Sequence, residues 1–123
     1  MRAAAEDGRL DELCDRHQID LMGIFGSAVR SEHPRDLDIS VRYVASTDVL
    51  GFLDELSVLA DTSAIDLLDL GRAGPVARER GLVGGIPLYE RNSGDFARAQ
   101  MAAIGERMDT DWLRRWDLEL MAR

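Results

Sequence analysis

The stretch that decides the fold runs from Gly23 to Val41, GIFGSAVRSEHPRDLDISV. An apolar run ends there at Gly26-Ser27, and a second run carries Asp36 and Asp38 two positions apart. In a strand, residues two apart share a face, which places these aspartates about 7 Å apart at the backbone. Two carboxylates this close repel each other, and a bound Mg²⁺ neutralises that repulsion. Mg²⁺ suits the position because its usual ligands are carboxylates, waters and substrate phosphates. The spacing predicts a strand with a magnesium site on its polar face.

A third carboxylate would complete such a site, and the apolar segment AIDLLDL, residues 64–70, offers two. Strand alternation puts Asp66 on the face of Leu68, whereas Asp69 lies on the opposite face. We prefer Asp66, because it is in the middle of the predicted strand. Asp69 is near the strand end and is placed to cap the following loop.

Gly26-Ser27 directly follows the apolar segment IDLMGIF, residues 19–25, which is typical of a buried strand. A glycine there lets the backbone approach a phosphate closely, and the free N–H groups of a helical turn bind anions. The Ser27 hydroxyl adds a donor. Arg30, one turn further on, either meets a phosphate or lies in solvent. The turn is therefore a candidate phosphate site beside the aspartates.

Hydrophobic periodicity predicts the order helix, strand, strand, helix, strand, short helix, strand, helices along the chain. The class is α/β (α+β), a small mixed sheet covered by helices mostly on one face. Pro87 makes the last strand an edge strand. The predicted elements are a helix over 3–17, strands over 19–25, 37–44, 64–70 and 86–90, a helix capped by Thr47 or Asp48, a short helix from Pro75 to Arg80, and helices from Ser93 onward with a break at 109–111.

Length and composition indicate one domain over residues 1–123, with a core at about 19–92 and C-terminal helices at about 93–122. No apolar run reaches the roughly 20 residues that span a bilayer. The first residues lack the apolar region of a signal peptide, so we expect a cytoplasmic protein without membrane contact.

Charge and residue usage exclude several functions. The sequence contains no lysine, which excludes a P-loop and Schiff-base chemistry. A net charge of −8 makes nucleic acid an unlikely direct partner and suits a partner protein with a basic surface.

The single cysteine, Cys14, is expected to pack in a helix, and His17 and His33 are expected at the surface. Trp112 and Trp116 either belong to a helix pair covering the sheet or form an exposed partner surface.

The ordered motifs Gly26-Ser27 and Asp36-Leu37-Asp38 resemble those of the minimal nucleotidyltransferases (MNT) of the DNA polymerase β superfamily. The segment AIDLLDLGRAGPVARERGLVGGIPLYERN looks like the remainder of that domain, and the resemblance covers Ile19 to Asn92. It implies a polymerase β palm-like fold.

By this resemblance, Gly26, Ser27 and Arg30 would hold a nucleoside triphosphate, and Asp36, Asp38 and Asp66 would bind Mg²⁺, with Asp66 as ligand or general base. The acceptor would attack the α-phosphate and release pyrophosphate. Small members of the family resemble antitoxins that transfer AMP from ATP to a HEPN-type ribonuclease toxin.

Two alternatives remain on the same fold. One is a non-catalytic antitoxin that neutralises by binding, which the loop before Asp36 favours because it is two residues shorter than is usual for the family. The other is a small-molecule nucleotidyltransferase of the aminoglycoside-modifying kind, which the absence of an acceptor domain disfavours. The sequence leaves open the acceptor, the nucleotide preference and homo-oligomerisation.

Overall fold

The computed structural model describes residues 8–29, 36–45 and 48–122. Helices and strands follow one another along the chain in the order that the sequence predicts. No helix in this part of the chain combines the length and apolar character needed to cross a membrane. The elements are α1 (Arg9–Arg16), β1 (Ile19–Phe25), a 3-10 turn (Gly26–Val29), β2 (Leu37–Tyr43), α2 (Val49–Ala60), β3 (Ile65–Asp69), α3 (Pro75–Leu82), β4 (Ile86–Glu90) and α4 (Asp95–Ala122).

The four strands form one mixed sheet in the order β3-β2-β1-β4. β1 is antiparallel to both β2 and β4, whereas β2 and β3 run parallel because α2 carries the chain back between them. β4, which contains Pro87, is an edge strand as predicted. The small mixed sheet is confirmed.

Helices cover both faces of the sheet, so the expectation of one mainly covered face is wrong. Ile39 and Val41 of β2 pack with α1 and α2 in one apolar cluster. The intervening residue Ser40 faces the other side, where a second cluster contains residues of α3 and α4. Alternating strand residues therefore serve two cores, and the sheet is the middle of three layers.

The first half of α4 is fastened to α3 by polar contacts. Gln100 donates a hydrogen bond to the carbonyl oxygen of Leu82 at 2.8 Å. Glu106 accepts hydrogen bonds from Arg78, and Arg107 pairs with Glu79 at 3.5 Å. Together with buried Phe96 and Ala103, these contacts hold the helix across the sheet.

The predicted break in the C-terminal helices at Asp109, Thr110 and Asp111 is wrong, because α4 continues unbroken from Asp95 to Ala122. Asp and Thr favour caps, yet their helix propensity is only modestly below that of other residues. A capping residue therefore does not by itself end a helix, and the expected helix pair is one long helix.

Other predicted boundaries are close to the observed ones. Asp48 is the N-cap of α2, where its side chain accepts a hydrogen bond from the Gly51 amide at 3.1 Å. The alternative cap, Thr47, lies outside the described residues, as do residues 3–7 of the first predicted helix.

Candidate active site

Asp38 and Asp66 are direct neighbours on the parallel strands β2 and β3. Paired residues of neighbouring strands project to the same face of a sheet, so the two carboxyl groups share one side. The next pair on the same face of these strands, Ser40 and Leu68, lies under α3, where Gly81 comes close to both. The aspartates lie one pair further towards the strand starts, with Asp38 half-buried and Asp66 exposed.

Asp36 directly precedes β2 and is exposed. It lies two positions before Asp38, at the sheet edge where β2 and β3 begin. The three predicted aspartates thus lie at the end of the sheet where β2 and β3 begin, and Asp38 and Asp66 are neighbours across the two strands.

Gly26 lies against Asp38 at the end of β1. Phe25 pairs with Asp38 across the antiparallel strands, and Gly26 then turns with φ at 72°, in the left-handed region that favours glycine. A side chain at Gly26 would collide with Oδ2 of Asp38. The backbone conformation therefore favours glycine at this position, and any larger residue would have to displace the Asp38 carboxylate.

Ser27 follows Gly26 in the 3-10 turn, so the turn begins beside the Asp38 carboxylate. The side chain of Ser27 and the whole of Arg30 lie outside the described residues. The predicted relation between the Gly-Ser turn and the aspartate strand is present in the backbone.

The paired aspartates fit a divalent cation in part. Carboxylates are hard oxygen donors, and Mg²⁺ binds one or two of them together with waters and substrate phosphates. Among the described residues, no group of three or more His, Cys, Asp or Glu side chains is placed to hold a metal ion. Asp38 and Asp66 fit a site that a substrate's phosphates would complete.

Asp69, the alternative third carboxylate, has a structural role. Its Oδ1 accepts a hydrogen bond from the Gly71 amide at 2.9 Å, which caps the loop after β3. It pairs in register with Val41, on the opposite face from Asp66. Asp66, and not Asp69, therefore shares a face of the sheet with Asp38.

Sequence reasoning did not single out Gly85, which also shapes this end of β1. A Cβ at Gly85 would lie 3.1 Å from the carbonyl oxygen of Ile24, two residues before Gly26. The signal was the glycine pair Gly84-Gly85, which predicted only a turn. Its second glycine also permits close backbone packing beside the site.

The surroundings of Cys14 and His17 indicate that both residues have structural roles. Cys14 is buried in α1, as predicted, and burial raises the pKa of its thiol to about 12. His17 is not at the surface, because its side chain is only 16% exposed and its Nε2 lies 2.5 Å from Oε2 of Glu55. The hydrogen bond with His17 is the main cause of the lowered pKa of Glu55. His33 lies outside the described residues.

Comparison with solved structures identifies the fold as that of MNT antitoxins. A toxin–antitoxin structure with AMP-PNP matches with a TM-score of 0.70 at 19% identity, covering 95% of this chain and 98% of that chain. A chain in the structure of the tri-AMPylated Shewanella oneidensis HEPN toxin in complex with MNT antitoxin also matches. Its TM-score is 0.68 at 20% identity, and the match covers 100% of both chains. A MntA–HepT mutant with two aspartates changed to glutamate matches with a TM-score of 0.70 at 17% identity, over 95% of this chain and 98% of that one.

No family model matches the chain, and no curated protein matches its sequence significantly. The likeness is therefore one of structure at low sequence identity. The chain has the nucleotidyltransferase fold that the ordered motifs led us to expect.

Proposed function

We propose that this protein is a Mg²⁺-dependent nucleotidyltransferase that acts as an antitoxin, transferring AMP from ATP to a HEPN-type ribonuclease toxin. The observation that carries the proposal is the in-register pair Asp38 and Asp66, with Gly26 packed against the first of them. Solved structures of the same fold include an MNT antitoxin with its AMPylated toxin and a toxin–antitoxin with AMP-PNP, which supports the donor and acceptor classes.

The role given to each residue in this proposal is the one that the resemblance to minimal nucleotidyltransferases implies. Backbone amides of the Gly26-Ser27 turn bind the triphosphate. The positive charge of Arg30 offsets part of its negative charge. Asp36 and Asp38 would hold Mg²⁺, which would neutralise phosphate charge, and this leaves Asp66 as the general base.

In the transfer, the oxygen of an acceptor hydroxyl bonds to the α-phosphorus while the bond to the β-phosphate oxygen breaks, and pyrophosphate leaves with that electron pair. The acceptor's proton passes to Asp66, the most exposed of the paired carboxylates, and from there to water. Holding acceptor and phosphate in line supplies much of the rate enhancement.

Net charge supports a protein acceptor with a basic surface. The chain carries 23 acidic and 15 basic residues, a net charge of −8. Complementary charge speeds encounter with a basic ribonuclease. The negative charge of the domain also repels RNA, so the domain does not compete with the ribonuclease for its RNA substrate.

The test uses purified protein, Mg²⁺, ATP labelled at either the α- or the γ-phosphate, and a separately purified HEPN-type ribonuclease as the acceptor. We expect label on the ribonuclease from the α position alone. Asp38→Asn and Asp66→Asn should abolish it, whereas Asp69→Asn, a matched change on the opposite strand face, should retain it. Label from the γ position would identify a kinase instead.

A non-catalytic antitoxin is the second candidate. It is favoured by the lack, among the described side chains, of a preformed group of three metal-binding residues. In that case the ribonuclease is bound and inhibited without gaining label, and Asp38→Asn still neutralises it. Catalytic neutralisation would instead be lost in this variant.

A further inference from the structure

Strand β3 is at the side of the sheet, with β2 as its neighbour. Ile39 and Val41 of β2 are fully buried. Ile65 and Leu67 of β3 pack against the same apolar cluster but are only half-buried, and Asp66 between them is exposed. In the part of the chain that the structure describes, no further strand pairs with the side of β3 that faces away from β2. We call this side the outer edge of β3.

Two hydrogen bonds show which backbone groups of β3 point to its outer edge. The Leu37 amide donates to the carbonyl oxygen of Ala64 at 2.8 Å. At the other end of the pair, the Leu70 amide donates to the carbonyl oxygen of Val41, also at 2.8 Å. Parallel strands use alternate residues for such bonds, so the even-numbered residues of β3 point their N–H and C=O groups towards β2. The backbone groups of its odd-numbered residues point outwards.

The outward groups belong to Ile65, Leu67 and Asp69. The carbonyl oxygen of Asp69 accepts hydrogen bonds from amides of the following turn, which leaves two carbonyl groups and three N–H groups along the outer edge. Such a row is a template for an extended segment, which adds to the sheet as a new strand. At the opposite side of the sheet, β4 contains Pro87, which has no N–H group to donate. β3 contains no proline, so it is the better edge for strand addition.

We propose that an extended segment of the acceptor protein adds antiparallel to the outer edge of β3 and thereby brings its hydroxyl group to Asp66. This rests on the function proposed above, in which Asp66 takes the proton of the acceptor hydroxyl. A general base must lie within hydrogen-bond distance of the proton that it removes. The acceptor chain therefore has to pass within side-chain reach of β3.

The position of Asp66 within β3 suits this role. Its backbone groups point towards β2, so an antiparallel segment on the outer edge forms a non-hydrogen-bonded pair with it. In such pairs the Cα atoms are about 4.5 Å apart and the side chains are closest. The side chain opposite Asp66 also lies on the face that Asp66 shares with Asp38. A hydroxyl group there is beside the carboxylate, on the side of the sheet where the nucleotide is proposed to bind.

The charge around the outer edge favours a basic segment over a second copy of this chain. Asp66 is exposed, as is Asp36, which precedes the β2 residue paired with the first residue of β3. Asp61, also exposed, caps α2 four residues before β3 begins. Two copies joined at this edge would bring these aspartates together, and each copy carries −8. Opposite charges on neighbouring strands attract, so Arg or Lys near the acceptor hydroxyl would stabilise the pairing.

Amide hydrogen exchange measured by NMR tests the strand addition. In the free protein, the amides of Asp66 and Leu68 should exchange slowly because they donate to β2, whereas those of Ile65 and Leu67 should exchange quickly. Binding of a purified HEPN-type ribonuclease, without ATP, should slow exchange at Ile65 and Leu67 by about tenfold or more. Exchange of the β4 amides, at the opposite side of the sheet, serves as the control and should not change.

Leu67→Pro tests the same edge in a second way, because proline removes the outward N–H group of position 67 and no hydrogen bond to β2. Leu67→Ala is the matched comparison, since it loses the same side chain and keeps the N–H group. The ribonuclease should bind Leu67→Pro about tenfold more weakly than Leu67→Ala, because one of its carbonyl groups is left without a donor. Circular dichroism checks that both variants are folded, and the exchange measurement on the wild type applies even if the proline variant is not.

Unchanged exchange at Ile65 and Leu67 in the presence of the ribonuclease, or equal binding by the two variants, would overturn the proposal even if AMP is transferred. Slow exchange of these amides in the chain alone would also overturn it, by showing that the edge is already covered. Slowed exchange on binding without any transfer would support the docking edge and reject the proposed nucleotidyl transfer.

Discussion

The carboxylate of Asp38 lies in the space that a side chain at position 26 would occupy. Gly26 is the last residue before the chain turns away from β1, and Asp38 is the second residue of β2. The glycine and the aspartate of the two motifs therefore depend on each other. This contact joins the Gly-Ser pair to the Asp-x-Asp pair in the folded chain.

Gly26→Ala is expected to impair nucleotidyl transfer more than stability. Alanine in the left-handed region costs about 1–2 kcal/mol, and the new methyl group must also displace the Asp38 carboxylate. A misplaced catalytic group costs on the order of a hundredfold in rate. The measurements are transfer from α-labelled ATP and thermal unfolding.

Gly84→Ala is the matched control, since Gly84 also has positive φ, at 81°, but nothing lies within 4 Å of its Cβ position. It should lose similar stability and keep full transfer. Equal activity of the two alanine variants would mean that the position of Asp38 does not matter for the chemistry.

Ser40→Ala should leave stability unchanged or raise it by about 1 kcal/mol, because the Ser40 hydroxyl is buried with no hydrogen-bond partner among the described residues. Denaturant unfolding measures this. Thr62→Val is a comparison of the opposite sign, since Thr62 accepts a hydrogen bond from the Ala64 amide at 3.1 Å. That change should cost about 0.5–1.5 kcal/mol, and destabilisation by Ser40→Ala would reveal a partner for its hydroxyl.

Cys14 should be unreactive in the folded protein. Its pKa is raised to about 12, chiefly by burial, so at pH 8 the thiol stays protonated as well as inaccessible. A thiol reagent such as DTNB should label it only after unfolding in guanidinium chloride. Rapid labelling of the native protein would show that α1 opens readily from the core.

Glu55→Gln should lower the melting temperature near neutral pH and have little effect in acid. The hydrogen bond with His17 lowers the pKa of Glu55 below its ordinary value of 4.5. A lowered carboxyl pKa stabilises the fold above that value, and the stabilisation disappears as the pH falls through the folded-state pKa. Thermal melts of both proteins between pH 7 and acid measure the difference.

Glu12→Gln provides the comparison for Glu55→Gln, because Glu12 is an exposed glutamate on α1. Near neutral pH it should lower the melting temperature less than Glu55→Gln does. If the melting temperatures of Glu55→Gln and the wild type differ by the same amount down to strongly acid pH, the effect does not come from ionisation of Glu55.

The strands and the candidate aspartates could be predicted because they depend on local patterns. Alternation in Leu37 to Tyr43 fixes which face carries Asp38, and the same rule separates Asp66 from Asp69. The edge position of β4 followed from Pro87, which cannot donate a ladder hydrogen bond. Each of these conclusions needs only the geometry of one strand.

The sequence by itself thus determined the strands, the order of the motifs and the faces on which the aspartates lie. Only the tertiary structure decided that helices cover both sides of the sheet, that α4 passes through Asp109 without a break, and that Asp38 packs against Gly26. These features join residues distant in the chain, or depend on whether a neighbouring element covers a helix. Local periodicity carries no information about such contacts, because they arise only when the layers pack together.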